Sequence, residues 1–469
     1  MSVLTKAPAR APLALAAIVA CQLMFVLDAT VVNIALVPIQ HALHFSTANL
    51  AWVVDAYSLT FGGLLLLGGR AGDIFGRRRL LIIGLATFTG ASLVGGLATS
   101  ATMLLLARGA QGIGAAMAAP STLSLISAIY DEGPARNKAL GVFTAVSAGG
   151  GSLGLVLGGA LTSWVSWRWV LFINVPIGIA VMVAAPRVIP EPARNGGRMD
   201  LPGAVLVTTG LGAIIYGFIR WAERAATGGT GAMFILGVAL LAGFVMVERL
   251  KSQPLFPLRL LASRPRAASY FVMMLLPAVM YGVFFFVSQY MEGDMHFSAI
   301  QAGFAFLPLT AMIFTLSRIT PRLVNRFGAR PLLLVGLLLL TVATFWISRA
   351  NPSDGYFSSL LGPLILFGLG AGSCFLPLSV TILGGVPRQD SGAASGMLQT
   401  MQQTGGALGV AALTSVAVAH GRSTALLMGT GIILVALAVS YTFIRPARAT
   451  YAPDAEELAT ELEGIALIE

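Results

Sequence analysis

The sequence predicts an all-α membrane protein of fourteen transmembrane helices, built as two six-helix bundles with two additional linker helices between them. Three observations lead there. Hydrophobic residues fill 57% of the 469 positions and charged residues only 10%, with mean hydropathy +0.85, a composition outside the range of soluble globular chains. Apolar stretches of bilayer length recur along the whole chain, and the basic residues gather in alternate connecting segments.

A helix rising 1.5 Å per residue needs about 20 apolar residues to cross a hydrocarbon core of roughly 30 Å. The first such stretch, 13–39, is interrupted by a single acid, Asp28; the second, 49–68, carries Asp55 near its start. The third, 80–99, follows the run Arg77-Arg78-Arg79, and the fourth, 102–128, contains Arg108. In the fifth, 139–163, Gly150, Gly154 and Gly158 recur every fourth residue on one helical face, which lets membrane helices approach closely. The sixth, 167–186, opens on the aromatic run "WRWVLF". Stretches 201–219 and 231–247 stand between the blocks, and 268–290, 301–317, 331–348, 357–384, 393–418 and 423–444 form the second block. Within 393–418, "LQTMQQTGG" supplies Gln399, Gln402 and Gln403 and no charge.

The positions of the basic residues explain the formal net charge of +10. With the N-terminus in the cytoplasm and strict alternation, 23 of the 29 Lys and Arg fall in cytoplasmic segments, 5 in external ones, and Arg108 lies within a span. That asymmetry follows the positive-inside rule and places both termini in the cytoplasm. The basic charge is therefore topological and implies no nucleic acid partner. Cys21 and Cys374 both lie in apolar stretches, without metal-ligand or disulfide spacing. The four His fall in or beside external loops, too scattered for a metal site. The first apolar run is too long for a cleaved signal peptide and serves as its own insertion signal. The acidic tail, 454–469, reads as a cytoplasmic helix or a disordered segment.

A weak repeat sets the organisation. "GDIFGRRRLLIIG" (72–84) aligns with "VNRFGARPLLLVG" (324–336), matching Phe75-Gly76 to Phe327-Gly328 and Arg78 to Arg330. Each lies after the second span of a six-span block, the arrangement of transporters whose substrate path runs between two parallel halves. The expected divisions are 1–190, a first bundle; 191–265, a linker with the seventh and eighth spans; 266–445, a second bundle; and 446–469, a cytoplasmic tail.

Four motifs together resemble the fourteen-span drug:proton antiporters of the major facilitator superfamily. "LDATVVNIAL" (27–36) is similar to that group's first-span signature, with Val37 inserted before Pro38. "GGRAGDIFGRRR" (68–79) resembles its loop motif after the second span, "LLLARGAQGIGAA" (104–116) its basic fourth-span motif, and "WRWVLFINVPIG" (167–178) the opening of its sixth span. The resemblance is strong through the first six spans and weak in the second half. The fifth span departs from the family pattern, since Leu155 stands where a Pro commonly follows Gly154. The resemblance implies a major facilitator fold and export of amphipathic or apolar molecules driven by the proton gradient. It implies no cofactor, a monomer in the cytoplasmic membrane, and small molecule, protons and lipid bilayer as partners.

A charged side chain at the centre of a membrane helix costs about 3 kcal/mol on insertion scales, so an acid kept there is expected to work. Asp28 lies roughly 18 Å from the external end of its helix by the 1.5 Å rise. Asp55 and Arg108, about seven residues inward of theirs, are expected to meet it as a proton-coupling group. The resemblance makes Gly69, Asp73, Gly76, Arg77 and Arg78 a conformational switch that latches the halves in the outward-facing state. Candidate substrate contacts are Asn33, Trp52, Tyr57, Gln111, Tyr281, Phe285, Gln289, Gln399 and Gln403, with Gln402, Met273, Met274 and Phe284 beside them, because aromatic, Met and Gln side chains adapt to varied apolar ligands. A metabolite exporter or an uptake symporter of the same fold stays open as an alternative. A membrane enzyme or receptor is remote: the chain has no H-E-x-x-H and no phosphate loop, and Gly150-Gly151-Ser152-Leu153-Gly154 sits in a membrane helix rather than a nucleophile elbow.

Overall fold

The computed structural model describes residues 11–130, 134–191, 200–222, 229–251, 258–386 and 391–444. The acidic tail and the loop segments 192–199 and 223–228 lie outside them. All fourteen expected helices are present, and no strand occurs among the described residues. They are α1 (Ala11–Leu43), α2 (Trp52–Phe75), α3 (Arg77–Gly96), α4 (Ala101–Ile129), α5 (Pro134–Trp164), α6 (Asn174–Val188, after the turn Trp169–Phe172), α7 (Leu201–Ala222) and α8 (Gly229–Leu250). The second block holds α9 (Arg264–Gln289), α10 (Leu307–Phe327, after the short helix Ala299–Ala305), α11 (Ala329–Ser348), α12 (Gly362–Leu383), α13 (Ser391–His420) and α14 (Arg422–Phe443). Among the described residues, eleven helices are long and apolar enough to cross a membrane by length and composition. Helices α4, α5 and α13 are the richest in Gly and Ala, small residues that let membrane helices approach closely.

In the first half α1 packs on α5 and α6, and α4 on α2 and α3; in the second, α9 packs on α13 and α14, and α12 on α10 and α11. Alternating directions put Ala11 and Ile444 on one face, called here the terminal face; the other is the far face. The halves meet where α2 crosses α13, where α5 meets Ala299–Ala305 and α10, and where α1 touches α9. On the far face Ile300 N–H donates to Ser163 Oγ at 3.0 Å, and the Ser288 hydroxyl donates to the Asn33 carbonyl at 3.0 Å. The far face is thus closed by hydrogen bonds between a serine side chain of one half and the main chain of the other. Helix α7 lies against both α2 and α13, and α8 packs on α7 with most of its surface exposed.

The sequence repeat is a repeat of contacts. Gly76 and Gly328 hold φ of +106° and +84°, a region that glycine enters freely, and each precedes the next helix. Arg78 Nη1 then donates to the Ile189 carbonyl at 2.9 Å, and Arg330 Nη2 to the Tyr441 carbonyl at 2.7 Å. In both blocks the matched Arg holds the end of the sixth helix. The match stops there: Asn325 and Ala329 replace Asp73 and Arg77.

Helices α2 and α4 touch at Gly68, where an added Cβ would lie 2.0 Å from the Ala116 carbonyl oxygen. At the neighbouring Gly69 the nearest atom, Pro120 Cβ, would be 3.7 Å away, an ordinary contact. Gly68→Ala should therefore force the backbones apart and destabilise by about 1–3 kcal/mol, the usual cost of overpacking. Gly69→Ala should be neutral or stabilise by up to about 1 kcal/mol through helix propensity. Thermal unfolding of the two variants in detergent checks the contrast; equal melting points would contradict the packing at Gly68.

Candidate functional site

Five helices of the first half converge on Asp28, which is fully buried in α1. Arg108 and Gln111, three residues apart, share one face of α4. Arg108, 2% exposed, donates from Nη1 to Asp28 Oδ2 at 2.6 Å and to Gln111 Oε1 at 2.8 Å. Gln111 Nε2 donates to Asp28 Oδ1 at 2.9 Å and to Ser92 Oγ of α3 at 2.7 Å. Asn174, the first residue of α6, donates from Nδ2 to Asp28 Oδ1 at 2.9 Å. Arg108 Nε donates to the Val53 carbonyl of α2 at 2.9 Å, and the guanidinium stacks 4.6 Å over the Tyr57 ring. Three donors on one carboxylate, with the cation itself held by a carbonyl and an aromatic face, make the buried ion pair tolerable, while Asn174 Oδ1 is left without a partner.

Asp55 does not join this network. The structure starts α2 at Trp52, so Asp55 stands in its first turn rather than seven residues inward. It shares a stripe with Trp52 and Leu59, which pack with Ile215 and Ile219 of α7 and Ala407 and Ala411 of α13. The carboxylate is completely buried, and neither oxygen has a hydrogen-bond partner. The expected meeting of three groups is therefore a pairing of two, because Asp55 sits on a different stripe of α2 from the Val53 carbonyl that Arg108 reaches.

On the terminal face Arg77 Nη2 binds Asp73 Oδ1 at 2.5 Å, one helical turn apart across Gly76. Glu191, just after α6, accepts the main-chain N–H of Arg78 at 3.1 Å and of Arg79 at 3.2 Å, and its Oε2 is 3.5 Å from Arg78 Nε. It satisfies the open N-terminus of α3, where a carboxylate also meets the helix dipole. These partners belong to the first bundle or, in the case of Glu191, to the residue directly after it. Gly69 lies beside Pro120 of α4.

The candidate substrate contacts scatter. Tyr57 and Gln111 are consumed by the Asp28 network. Asn33 turns its amide back on the Ala29 carbonyl at 3.0 Å. Gln403 packs against Gly62 where α2 crosses α13, Tyr281 packs its ring on Gly406, and Gln402 Nε2 reaches Met273 Sδ at 3.5 Å. Gln399 and Trp52 are half-buried. Phe285 and Gln289 line a cavity of about 260 Å³ near the far face with Phe286, Thr414 and Arg422. Three residues were missed by the sequence reading: Asn174, Ser92 and Glu191. Asn174 was legible as the one amide in the apolar "VLFINVPIG"; Ser92 and Glu191 carry no local signal, since only the fold brings them to their partners.

A sequence model of the Major Facilitator Superfamily matches residues 18–410 and, overlapping, 323–463. The chain is 41% identical over 411 residues to the puromycin resistance protein of Streptomyces alboniger, covering 86% of this chain and 81% of that one. It is 40% identical to the cephamycin export protein of Amycolatopsis lactamdurans (86% and 84% covered), and 34% to the lincomycin resistance protein of Streptomyces lincolnensis (84% and 82%). Among solved structures it resembles a partially occluded, inward-open xylose transporter of E. coli, with TM-score 0.66, 14% identity and 94% and 100% of the chains covered. It also resembles a human organic anion transporter, with TM-score 0.63, 17% identity and 92% and 100% covered. At those identities the structural likeness concerns the fold.

Removing one partner of a buried ion pair strands the other. Arg108→Gln should destabilise the protein by about 3–5 kcal/mol, and adding Asp28→Asn should recover most of the loss. Melting temperatures of the two single variants and the double variant, in detergent at one pH, test this coupling. A double variant no more stable than Arg108→Gln would show the pair to be energetically independent.

Proposed function

The chain belongs to the Major Facilitator Superfamily, and we propose that it is a proton-coupled antiporter that exports amphipathic or apolar small molecules, drugs and antibiotics among them, across the cytoplasmic membrane. That it is a multi-pass membrane transporter rather than an enzyme follows from the family. The relatives named for resistance to or export of puromycin, cephamycin and lincomycin support efflux as the direction. The observation that carries the coupling is the Asp28–Arg108 pair, buried from solvent and held by Gln111, Asn174 and Val53.

One proton on Asp28 cancels its charge and weakens every donor contact made to it, since charged acceptors bind donors about twice as strongly as neutral ones. Arg108 keeps its charge and must turn to another acceptor, so the packing of α1, α4 and α6 depends on whether the proton is present. Asp55, buried without a donor, is the second acid through which a proton passes. Both termini face the cytoplasm in this reading, so the terminal face is cytoplasmic. Asp73, Arg77 and Arg78 form the switch, here satisfied within their own half while the far face is closed. The transporter acts as a monomer, with the proton gradient as its only drive and no cofactor.

In inverted vesicles, a dye loaded by an imposed pH gradient should stop accumulating when an uncoupler is added. Asp28→Asn should lose gradient-driven transport and substrate-induced proton release, whereas Asp28→Glu should keep part of both. Proton release from Asp28→Asn equal to the parent's would move the coupling to Asp55. Asp73→Asn should slow transport several-fold with substrate affinity retained; lost affinity with normal turnover would remove the switch from this loop.

A further inference from the structure

The second half has no acid at the depth of Asp28, but it carries one at the seam between halves. Helix α9 runs into a π turn, Tyr290–Asp294, a local widening that often marks functional positions, and Glu292 sits on it, mostly buried. One turn earlier is the buried Ser288. Its Oγ is 3.0 Å from the Asn33 carbonyl of α1 and 3.3 Å from Glu292 Oε1.

A serine hydroxyl has one proton and gives it to one acceptor at a time. When Glu292 is ionised, its carboxylate and the Asn33 carbonyl compete for that proton, and the carboxylate is the stronger acceptor. When Glu292 is protonated, its own O–H donates to Ser288 Oγ, the serine proton is left for Asn33, and the three groups form an unbroken chain from α9 to α1. We propose that Glu292 is a proton-operated latch on the far face: protonated, it ties the second half to the first through Ser288; ionised, it releases α1.

The surroundings leave this role to Glu292. Among the described residues no cation pairs with its carboxylate. On the same turn Asp294 is held by Arg422, which stacks 3.8 Å over the Tyr290 ring. From α1 no titratable side chain stands between Asp28 and the exposed His41 and His44, and the helix Ala299–Ala305 contributes none. His296, in the loop between, and Asp354, ahead of the turn Phe357–Leu361, are exposed. The inference relies on the proton-coupled reading for its purpose in transport, but the latch itself is an equilibrium property that needs no substrate and no gradient.

The test is a distance across the far face. Spin labels on Leu97→Cys and Phe357→Cys, both exposed, report the separation of the halves in purified protein, with buried Cys21 and Cys374 left in place. Raising the pH from about 5.5 to about 8.5, across the range where a buried carboxyl can titrate, should shift the open-to-closed ratio roughly fivefold toward open, the worth of one hydrogen bond. Glu292→Gln, whose amide donates to Ser288 permanently, should stay closed throughout. Ser288→Ala should be shifted toward open and lose the pH response. A wild-type response retained in Glu292→Gln or in Ser288→Ala, or no response in the parent, would overturn the latch. The same measurement in Asp28→Asn separates the two ideas: a normal distance response there, with proton release lost, leaves both standing, whereas a lost distance response shows that Asp28 operates the far face and overturns Glu292.

Discussion

A charge buried in a membrane protein must be answered inside the protein, and the first half is built around one such answer. Asp28 and Arg108 cannot be separated without stranding a charge, so the helices that carry them, and those that lend Gln111, Ser92, Asn174 and the Val53 carbonyl, are fixed relative to one another by electrostatics as well as by packing. Close backbone approach follows from this. Small residues line α4 because α2, α3 and α1 must all come near enough for side chains of ordinary length to meet at a single carboxylate.

The two halves repeat the scaffold but not the charge. The glycine that turns the chain into the third helix of each block, and the arginine that then holds the end of the sixth, are shared down to the hydrogen bond. Among the described residues, the carboxylate–arginine pair across that turn and the ion pair at membrane depth exist on one side only. Shape is thus symmetric while charge is polarised, which leaves one half to hold the buried ion pair and the other to meet it through contact along the seams.

Helix number and order were legible in the sequence because hydrophobic length is a property of each segment by itself. The same holds for the turn after α2, where Gly76 and its neighbours announce a local conformation. Asp28 and Arg108 were legible as charges that hydrocarbon does not tolerate alone. That they pair with each other and leave Asp55 aside was not, because a shift of three residues in where α2 begins moves an acid by nearly a full turn, and sequence hydropathy does not resolve that shift. The surroundings of the candidate substrate contacts were least legible: Gln111 and Tyr57 look like free polar and aromatic surface until the fold places them against the ion pair. The Ser288–Glu292 arrangement depends on a π turn, which changes the angular register of α9 without any mark in the hydropathy pattern.

The position of α7 has a consequence for how the two halves face the membrane. The bilayer meets a protein of two bundles from the side, at the gaps where one bundle borders the other. There are two such gaps, and α7 lies across the one between α2 and α13 while α8 backs it from outside. The extra pair of helices therefore covers one side of the molecule and leaves the opposite gap, between α5 and α10, without such a cover, giving the fourteen-helix arrangement a handedness toward the membrane that a twelve-helix one lacks.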